Sequence, residues 1–530
     1  AVTLRDRNAV VVLEPRGVAR PLAELCTVDV PTEPVSLAVT KSELLVTSAW
    51  ARTLTALDVD ADLARRFSVA LPREPRAVAV SADGRRAFVS HVVGAKMSVV
   101  DLDGEHATRA LPLGVRAAPV ASGAPAERTG CQGFALATWT RGADERVFAP
   151  MVAVAPRGGE ADPFGITVIG GNGYYGTTQR DQSLASPPKE APLVSVVEGA
   201  REEPLTTTVA PLGARLGSEC LLPRAAAVRA STGSLFVTCL GVDVVLELDA
   251  RGKDPSRLER RRVHVAAGPT GVAIDDARGE AVVWSQFAPR LTVVPLDGDP
   301  PAQAVAIDVD YAPVGVTEAF AAGRVLFHRS ADLAITRDGM ACASCHPDAR
   351  DDAITWTTPD GPRQTIALAG RTDGAAPYGW PGQHATLKAY IANTVSRLGG
   401  LGLGPVELDA LAAYVRGAHA PHVTSVAAPA EMLARGRAIF DSQEQACSSC
   451  HVRGATDGLA HDVGSAAVGD DREAFDTPSL RFVGGSAPYF HDGRYATLDA
   501  LLSSKGHTMG RAWTLDAADR RALVAYLEGL

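Results

Sequence analysis

Pro75-Arg-Ala-Val-Ala-Val80, a turn, Arg86-Ala-Phe-Val-Ser90, and then an alternating strand closing on Asp103: this stretch decides how most of the chain folds. Each apolar run has strand length, and turns separate the runs. The same plan opens at Pro34-Val-Ser-Leu-Ala-Val, Pro223-Arg-Ala-Ala-Ala-Val and Pro269-Thr-Gly-Val-Ala-Ile, and closes on Asp60, Asp249 and Asp297. Opening Pro to closing Asp takes 26 to 28 residues, and adjacent openings lie roughly 40 to 46 apart. That is the period of four-stranded propeller blades. Residues 1–318 are therefore expected to form a β-propeller of about seven blades.

These units resemble the YVTN-type propeller repeat, most clearly from Pro75 to Asp103. Residues 104–222 keep the period poorly, and a Pro/Gly-rich stretch near 156–192 reads as an inserted loop. Inside it, Gly171-Asn-Gly173-Tyr-Tyr-Gly176 matches a dinucleotide-binding pattern. Such a site needs a helix after the glycines to meet the pyrophosphate. Here Thr-Thr-Gln-Arg-Asp-Gln and Pro187-Pro188 follow, which is loop chemistry, so nucleotide binding is not expected.

From about residue 320 the texture turns helical and a second repeat appears. Gly323-Arg-Val-Leu-Phe327 precedes Cys342-Ala-Ser-Cys345-His346, and Gly436-Arg-Ala-Ile-Phe440 precedes Cys447-Ser-Ser-Cys450-His451. Each C-x-x-C-H is the attachment signature of a covalent c-type haem: two thiols add across the vinyl groups and the His reaches the iron. Two of them in matching surroundings outweigh a zinc site. Two haem c groups are expected, in domains spanning 319–425 and 426–530. Each domain closes on an amphipathic helix, with Tyr414 and Tyr526 in matching places, so two mainly α cytochrome c-like domains should follow the propeller.

With 530 residues the chain exceeds a single core, and 46% hydrophobic content suits a fully globular protein. A net charge of -9 argues against nucleic acid or anionic membrane as partners. No apolar run has transmembrane length. Ala1 to Val10 carries no apolar core of an export signal, so the numbering is expected to begin after processing or at a trimmed end. Haem c is assembled after export, which implies a periplasmic, extracellular or cell-surface location. In that oxidising setting Cys220 should pair with Cys239 across one hairpin, and Cys26 with Cys131 by elimination.

Axial ligands separate electron transfer from catalysis. For His451 the candidate sixth ligands are Met509, which favours ferrous iron, and alternatively His507. For His346, residues from Pro347 to Pro362 hold neither His nor Met. His384, Tyr390 and Arg397 are the distal candidates, and an open iron that binds peroxide is expected.

Residues of about 320–530 resemble the bacterial di-haem cytochrome c peroxidase/MauG family. The resemblance is carried by Thr477-Pro-Ser-Leu-Arg, by Ala487-Pro-Tyr-Phe-His491-Asp-Gly-Arg, by Ala496-Thr-Leu and by Met509-Gly510. It implies a peroxidatic first haem fed with electrons by the second through Trp380, with His491 in the family motif. It also implies Ca²⁺ at Gln364, Ser486 and Pro488, the first replacing the usual Asn. The implied partners are H₂O₂ and either a small redox donor (a cytochrome c or a cupredoxin) or a protein substrate, the propeller serving as docking surface. Two departures stand out. Pro362 replaces a displaceable His ligand, and the distal Gln and Glu positions fall near Tyr390 and Gly399-Gly400. A non-catalytic electron-transfer or binding protein with both irons six-coordinate is the competing expectation.

Overall fold

The computed structural model describes residues 1–17, 22–113, 115–116, 127–156, 190–206, 219–298, 302–310, 315–423 and 428–530. The Gly171–Gly176 pattern lies outside them. An all-β propeller is followed by two mainly α cytochrome c-like domains.

Among the described residues the propeller has six sheets. The first has three strands, Val2–Leu4, Ala9–Pro15 and Leu22–Asp29. The second, third, fifth and sixth are antiparallel four-stranded meanders whose first strands are Pro34–Val39, Pro75–Val80, Pro223–Arg229 and Pro269–Asp275. First strands of the first three sheets, and of the fifth and sixth, pack on each other, and Ala137–Arg141 of the fourth sheet bridges the two groups, so these strands gather at the axis. The second strands, such as Glu43–Ser48 and Ser234–Cys239, are buried along their whole length. Sheets cover both their faces, which is why they read as continuous apolar runs rather than alternations.

Among the described residues six blades stand where about seven were expected, because those between 113 and 222 contribute a single sheet. Its central strands, Asp144–Val154 and Glu190–Glu198, are 11 and 9 residues long, and the Pro/Gly-rich stretch falls between them. These long strands are buried on both faces, so they show no blade period. Cys220 and Cys239 form the expected disulfide, tying the entrance of the fifth sheet to the end of its second strand. Cys26 and Cys131 do not pair. Cys26 is exposed on an outer strand of the first sheet, whereas Cys131 is buried in the fourth sheet against Trp356 and beside Cys345.

Among the described residues eight α-helices follow: α1 Glu318–His328, α2 Cys342–Cys345, α3 Leu387–Arg397, α4 Pro405–Gly417, α5 Ala430–Phe440, α6 Cys447–Cys450, α7 Leu498–Ser503 and α8 Ala517–Glu528. The repeat is visible in the packing, with α1 against α4 and α5 against α8. The glycine in each Gly-Arg-x-x-Phe explains itself here. A Cβ on Gly323 would overlap the carbonyl oxygen of Ala410, and one on Gly436 that of Ala522. The helices approach so closely that only glycine fits at the crossing. Tyr414 packs on Phe327 (ring centroids 4.9 Å) and Tyr526 on Phe440 (5.5 Å).

The two helical domains share a polar seam. Arg363 pairs with Asp470, Thr355 Oγ1 donates to the Asp492 carbonyl (3.0 Å), and Arg371 donates to the Ser479 carbonyl. Both domains also rest on the propeller. Trp50 meets Phe482 edge to face (5.7 Å), and Arg73 pairs with Asp351 (2.7 Å).

Candidate functional site

Each C-x-x-C forms one helical turn, α2 or α6, which brings its two thiols to one side and sends the following His into the domain interior. Beside each motif lies a cavity. That of the first domain is about 450 Å³ and is bordered by Cys342, Cys345 and His346. That of the second is about 530 Å³ and is bordered by Cys447, Cys450 and His451. Both volumes suit a large planar ligand.

The imidazoles are set for metal ligation. His346 Nδ1 lies 3.0 Å from the Arg350 carbonyl oxygen, and His451 Nδ1 lies 3.1 Å from that of Pro478. A carbonyl only accepts, so each Nδ1 carries the proton and each Nε2 keeps its lone pair. Burial also holds both rings below the ordinary His value, so both are neutral near pH 7. Two thiols, a neutral imidazole with its Nδ1 committed, and an apolar cavity fit a covalently attached haem c at each motif. Cys450, Asp457 and His461 also offer ligand atoms within 4.8 Å of one another. Cys450 cannot serve both that cluster and a thioether.

The cavities differ in the side chains around them. Met509 borders the second cavity. His507 does not: it is buried between Phe490 and Tyr495, and its Nε2 donates to the Leu501 carbonyl (3.0 Å). His507 Nε2 is thus committed to a backbone carbonyl, while its buried Nδ1 has no partner among the described residues, two residues from the methionine that borders the cavity.

His384, Tyr390 and Arg397 all border the first cavity, the His384 and Tyr390 rings lying 5.7 Å apart. Burial raises the Tyr390 phenol above its ordinary value, keeping it protonated. Sequence reasoning missed a carboxylate here. Asp360, half-buried at the Thr358–Gly361 turn, borders the cavity and pairs with Arg397 (3.2 Å). The signal that would have found it is the Pro-Asp-Gly turn, which aims a short acidic side chain at whatever faces it.

Trp380 borders both cavities, as do Gln364 and Tyr390, so one layer of side chains separates them. The Trp380 indole N–H donates to the Gln364 carbonyl (3.1 Å). His491 is buried at the second cavity, stacked on Phe475 (3.8 Å) and bonded to Asp470 (2.8 Å). Burial lowers its affinity for a proton, and Asp470 opposes that.

Gln364, Ser486 and Pro488 all border the second cavity. They bring no carboxylate, and the buried Gln364 Nε2 faces no acceptor. Calcium takes six to eight oxygens, carboxylates prominent among them, so this set does not fit it.

No family model matches the chain. It is 27% identical over 279 residues to the methylamine utilization protein MauG of Methylorubrum extorquens, covering 40% of this chain and 78% of that protein. Among solved structures it is similar to Kuenenia stuttgartiensis hydrazine synthase, with 21% identity, 42% of this chain and 90% of that chain covered, and a TM-score of 0.35. It is also similar to a MauG-like protein associated with microbial copper homeostasis, with 22% identity, coverage of 41% and 91%, and a TM-score of 0.32. Virginiamycin B lyase from Staphylococcus aureus matches at 9% identity, coverage of 53% and 71%, and a TM-score of 0.31.

Proposed function

We propose that the chain is an exported di-haem c oxidoreductase that reduces hydrogen peroxide in the first helical domain with electrons held in the second. The observation that carries this reading is the inequality of two otherwise repeated cavities joined by Trp380. One has Met509 in its wall; the other has His384, Tyr390, Arg397 and Asp360. When bound, haem c supplies the redox chemistry, in which peroxide, two electrons and two protons give two waters.

The chain's own residues do the rest. His346 and His451 present Nε2 because their Nδ1 protons are held by backbone carbonyls. Asp360 and Tyr390 replace the missing distal Glu and Gln: the carboxylate takes a peroxide proton and returns it to the leaving oxygen. Arg397, paired with Asp360 (3.2 Å), balances negative charge on the departing oxygen. Trp380, shared by both walls, is the route between the domains. Met509, in the wall of the second cavity, would offer its thioether to the iron of a haem held there, and a thioether favours the reduced state.

Attachment of haem c after export puts the protein in the periplasm or at the cell surface. Among the described residues no helix is long and apolar enough to cross a membrane. The electron donor is a small cytochrome or cupredoxin, or else an oxidisable side chain of a protein substrate as in the MauG branch. The propeller serves as the docking surface for such a partner, away from the axial entrance that the chain's own Asp348 and Arg350 fill.

Electron paramagnetic resonance of the diferric protein, before and after one equivalent of H₂O₂, tests this reading. A high-spin signal that disappears or gives way to a radical supports it. Two low-spin signals unaltered by peroxide would sink it in favour of a six-coordinate electron-transfer protein.

A further inference from the structure

The two loops that follow the attachment motifs have one backbone and two different sets of neighbours. His346 and His451 have φ/ψ of -114°/65° and -84°/65°, and the residues two further on, Asp348 and Arg453, are left-handed at 51°/31° and 54°/33°. Four residues on, Arg350 and Ala455 return at -98°/-138° and -103°/-134°. Each imidazole faces the same pair of backbone carbonyls, Arg350 and Ile366 for His346 and Ala455 and Pro478 for His451, but the better-formed bond falls on opposite members of the pair. His346 Nδ1 donates to the carbonyl of Arg350 in its own loop, and His451 Nδ1 to that of Pro478 in another segment.

The side chains explain the difference. Arg453 is exposed, and Ala455 has no polar side chain. Arg350 is buried and reaches into the propeller axis, where Nη1 donates to Glu74 (2.9 Å) and Nη2 to Glu33. Asp348 is held from the same side by Arg76 (2.9 Å), Arg5 (3.3 Å) and Arg224. Glu33 and Glu74 stand at one repeated place, the left-handed residue just before the opening Pro of the second and third sheets, with φ of 68° and 55°. The equivalent places in the fifth and sixth sheets hold Leu222 and Gly268, which carry no charge. Two neighbouring blades have therefore become a carboxylate fork around the Arg350 guanidinium, with Arg5 also on Glu33 and Arg76 also on Glu74 (2.9 Å). Buried charges of this kind persist only when paired in good geometry.

We propose that Arg350 is a positioning residue: the propeller grips its guanidinium, and the grip fixes the backbone carbonyl that orients the His346 imidazole. A firm Nδ1–H···O bond raises the basicity of the ligating nitrogen. A more basic ligand favours ferric iron, so the clamp keeps the first site more oxidising-state-stable than its loop sequence alone would. The clamp makes the repeated sites unequal on the His side as well as on the opposite side. The inference rests on the reading of His346 as an iron ligand.

The test uses the haem-loaded full chain and the variants Glu74→Gln, Arg350→Lys and Arg350→Ala. Midpoint potentials of the two haems are read by spectroelectrochemistry, and the iron–histidine stretch by resonance Raman. Expected is an upward shift of one potential and a weakened stretch in the same haem, graded from Arg350→Lys to Arg350→Ala, with the other haem unchanged. Glu74→Gln keeps an acceptor for Arg350 and removes only charge, so it reports the same quantity if Arg350→Ala does not fold. Folded variants with both potentials and the stretch at their wild-type values would overturn the proposal and leave the clamp a purely structural joint. Absence of c-type haem absorption from the wild-type protein would instead overturn the reading of the site itself.

Discussion

Trp380 and His491 meet edge to face, with ring centroids 6.1 Å apart and planes at 69°, at the wall common to the two cavities. Each is anchored separately, Trp380 by the Gln364 carbonyl and His491 by Asp470. The indole is thus held in place from both domains. Trp380→Phe should leave both haems attached and their resting spectra unchanged, while slowing exchange between them at least tenfold, about 1.4 kcal/mol in barrier. Stopped-flow spectroscopy of the half-reduced protein mixed with H₂O₂ measures this. An unchanged rate would reduce Trp380 to wall filling.

Met509 borders the second cavity and His507 does not. Met509→Ala should abolish one low-spin signal and raise the affinity of that site for added imidazole. His507→Ala should keep the signal while losing its bond to the Leu501 carbonyl and its packing between Phe490 and Tyr495, about 2–4 kcal/mol of stability together. Low-temperature paramagnetic resonance of both variants decides between the ligands, and a signal lost only with His507 would reverse the assignment.

Gly436 lets α5 cross α8 at a distance no side chain permits. Gly436→Ala should push the helices apart and cost about 1–3 kcal/mol, as overpacked sites do. Gly323→Ala should do the same to α1 and α4. Calorimetry of the haem-loaded variants reads each loss, and wild-type stability in either would mean that the crossing relaxes freely.

His91 gives the propeller a pH response. It is buried, with Nδ1 against the Arg73 carbonyl (2.9 Å) and Nε2 against Ser98 Oγ (2.9 Å), and burial lowers its pKa from 6.5 to about 4. The unfolded chain therefore binds a proton at pH values where the folded chain does not. Stability from the neutral ring is complete above about pH 6.5 and is lost as pH falls towards 4, by at most about 3 kcal/mol. His91→Gln should be less stable than wild type at pH 7, and the gap should narrow by pH 4.5. Paired thermal melts at the two pH values check this; a constant gap would show that His91 does not titrate on unfolding.

Much of the architecture was legible in the sequence. Strand runs after Pro34, Pro75, Pro223 and Pro269 carry their own period. The paired Gly-Arg-x-x-Phe and C-x-x-C-H segments announce a duplicated helical domain. Legibility failed where burial erased periodicity, as in Asp144–Val154. It failed again where elimination stood in for geometry, as with Cys26 and Cys131, which belong to different sheets. Asp360 was overlooked because its neighbour Arg397 lies 37 residues downstream.

The sequence by itself determined the chemistry carried by contiguous residues. Attachment thiols with their adjacent imidazoles, blade strands and crossing glycines are short-range patterns, and a short-range pattern survives in any reading of the chain. Only the tertiary structure decided what those residues face. Arg350 lies 276 residues from Glu74 and 317 from Glu33. No local spacing encodes such a contact; it exists because the propeller gathers the entrances of its first strands at one axis and the loop after His346 enters there.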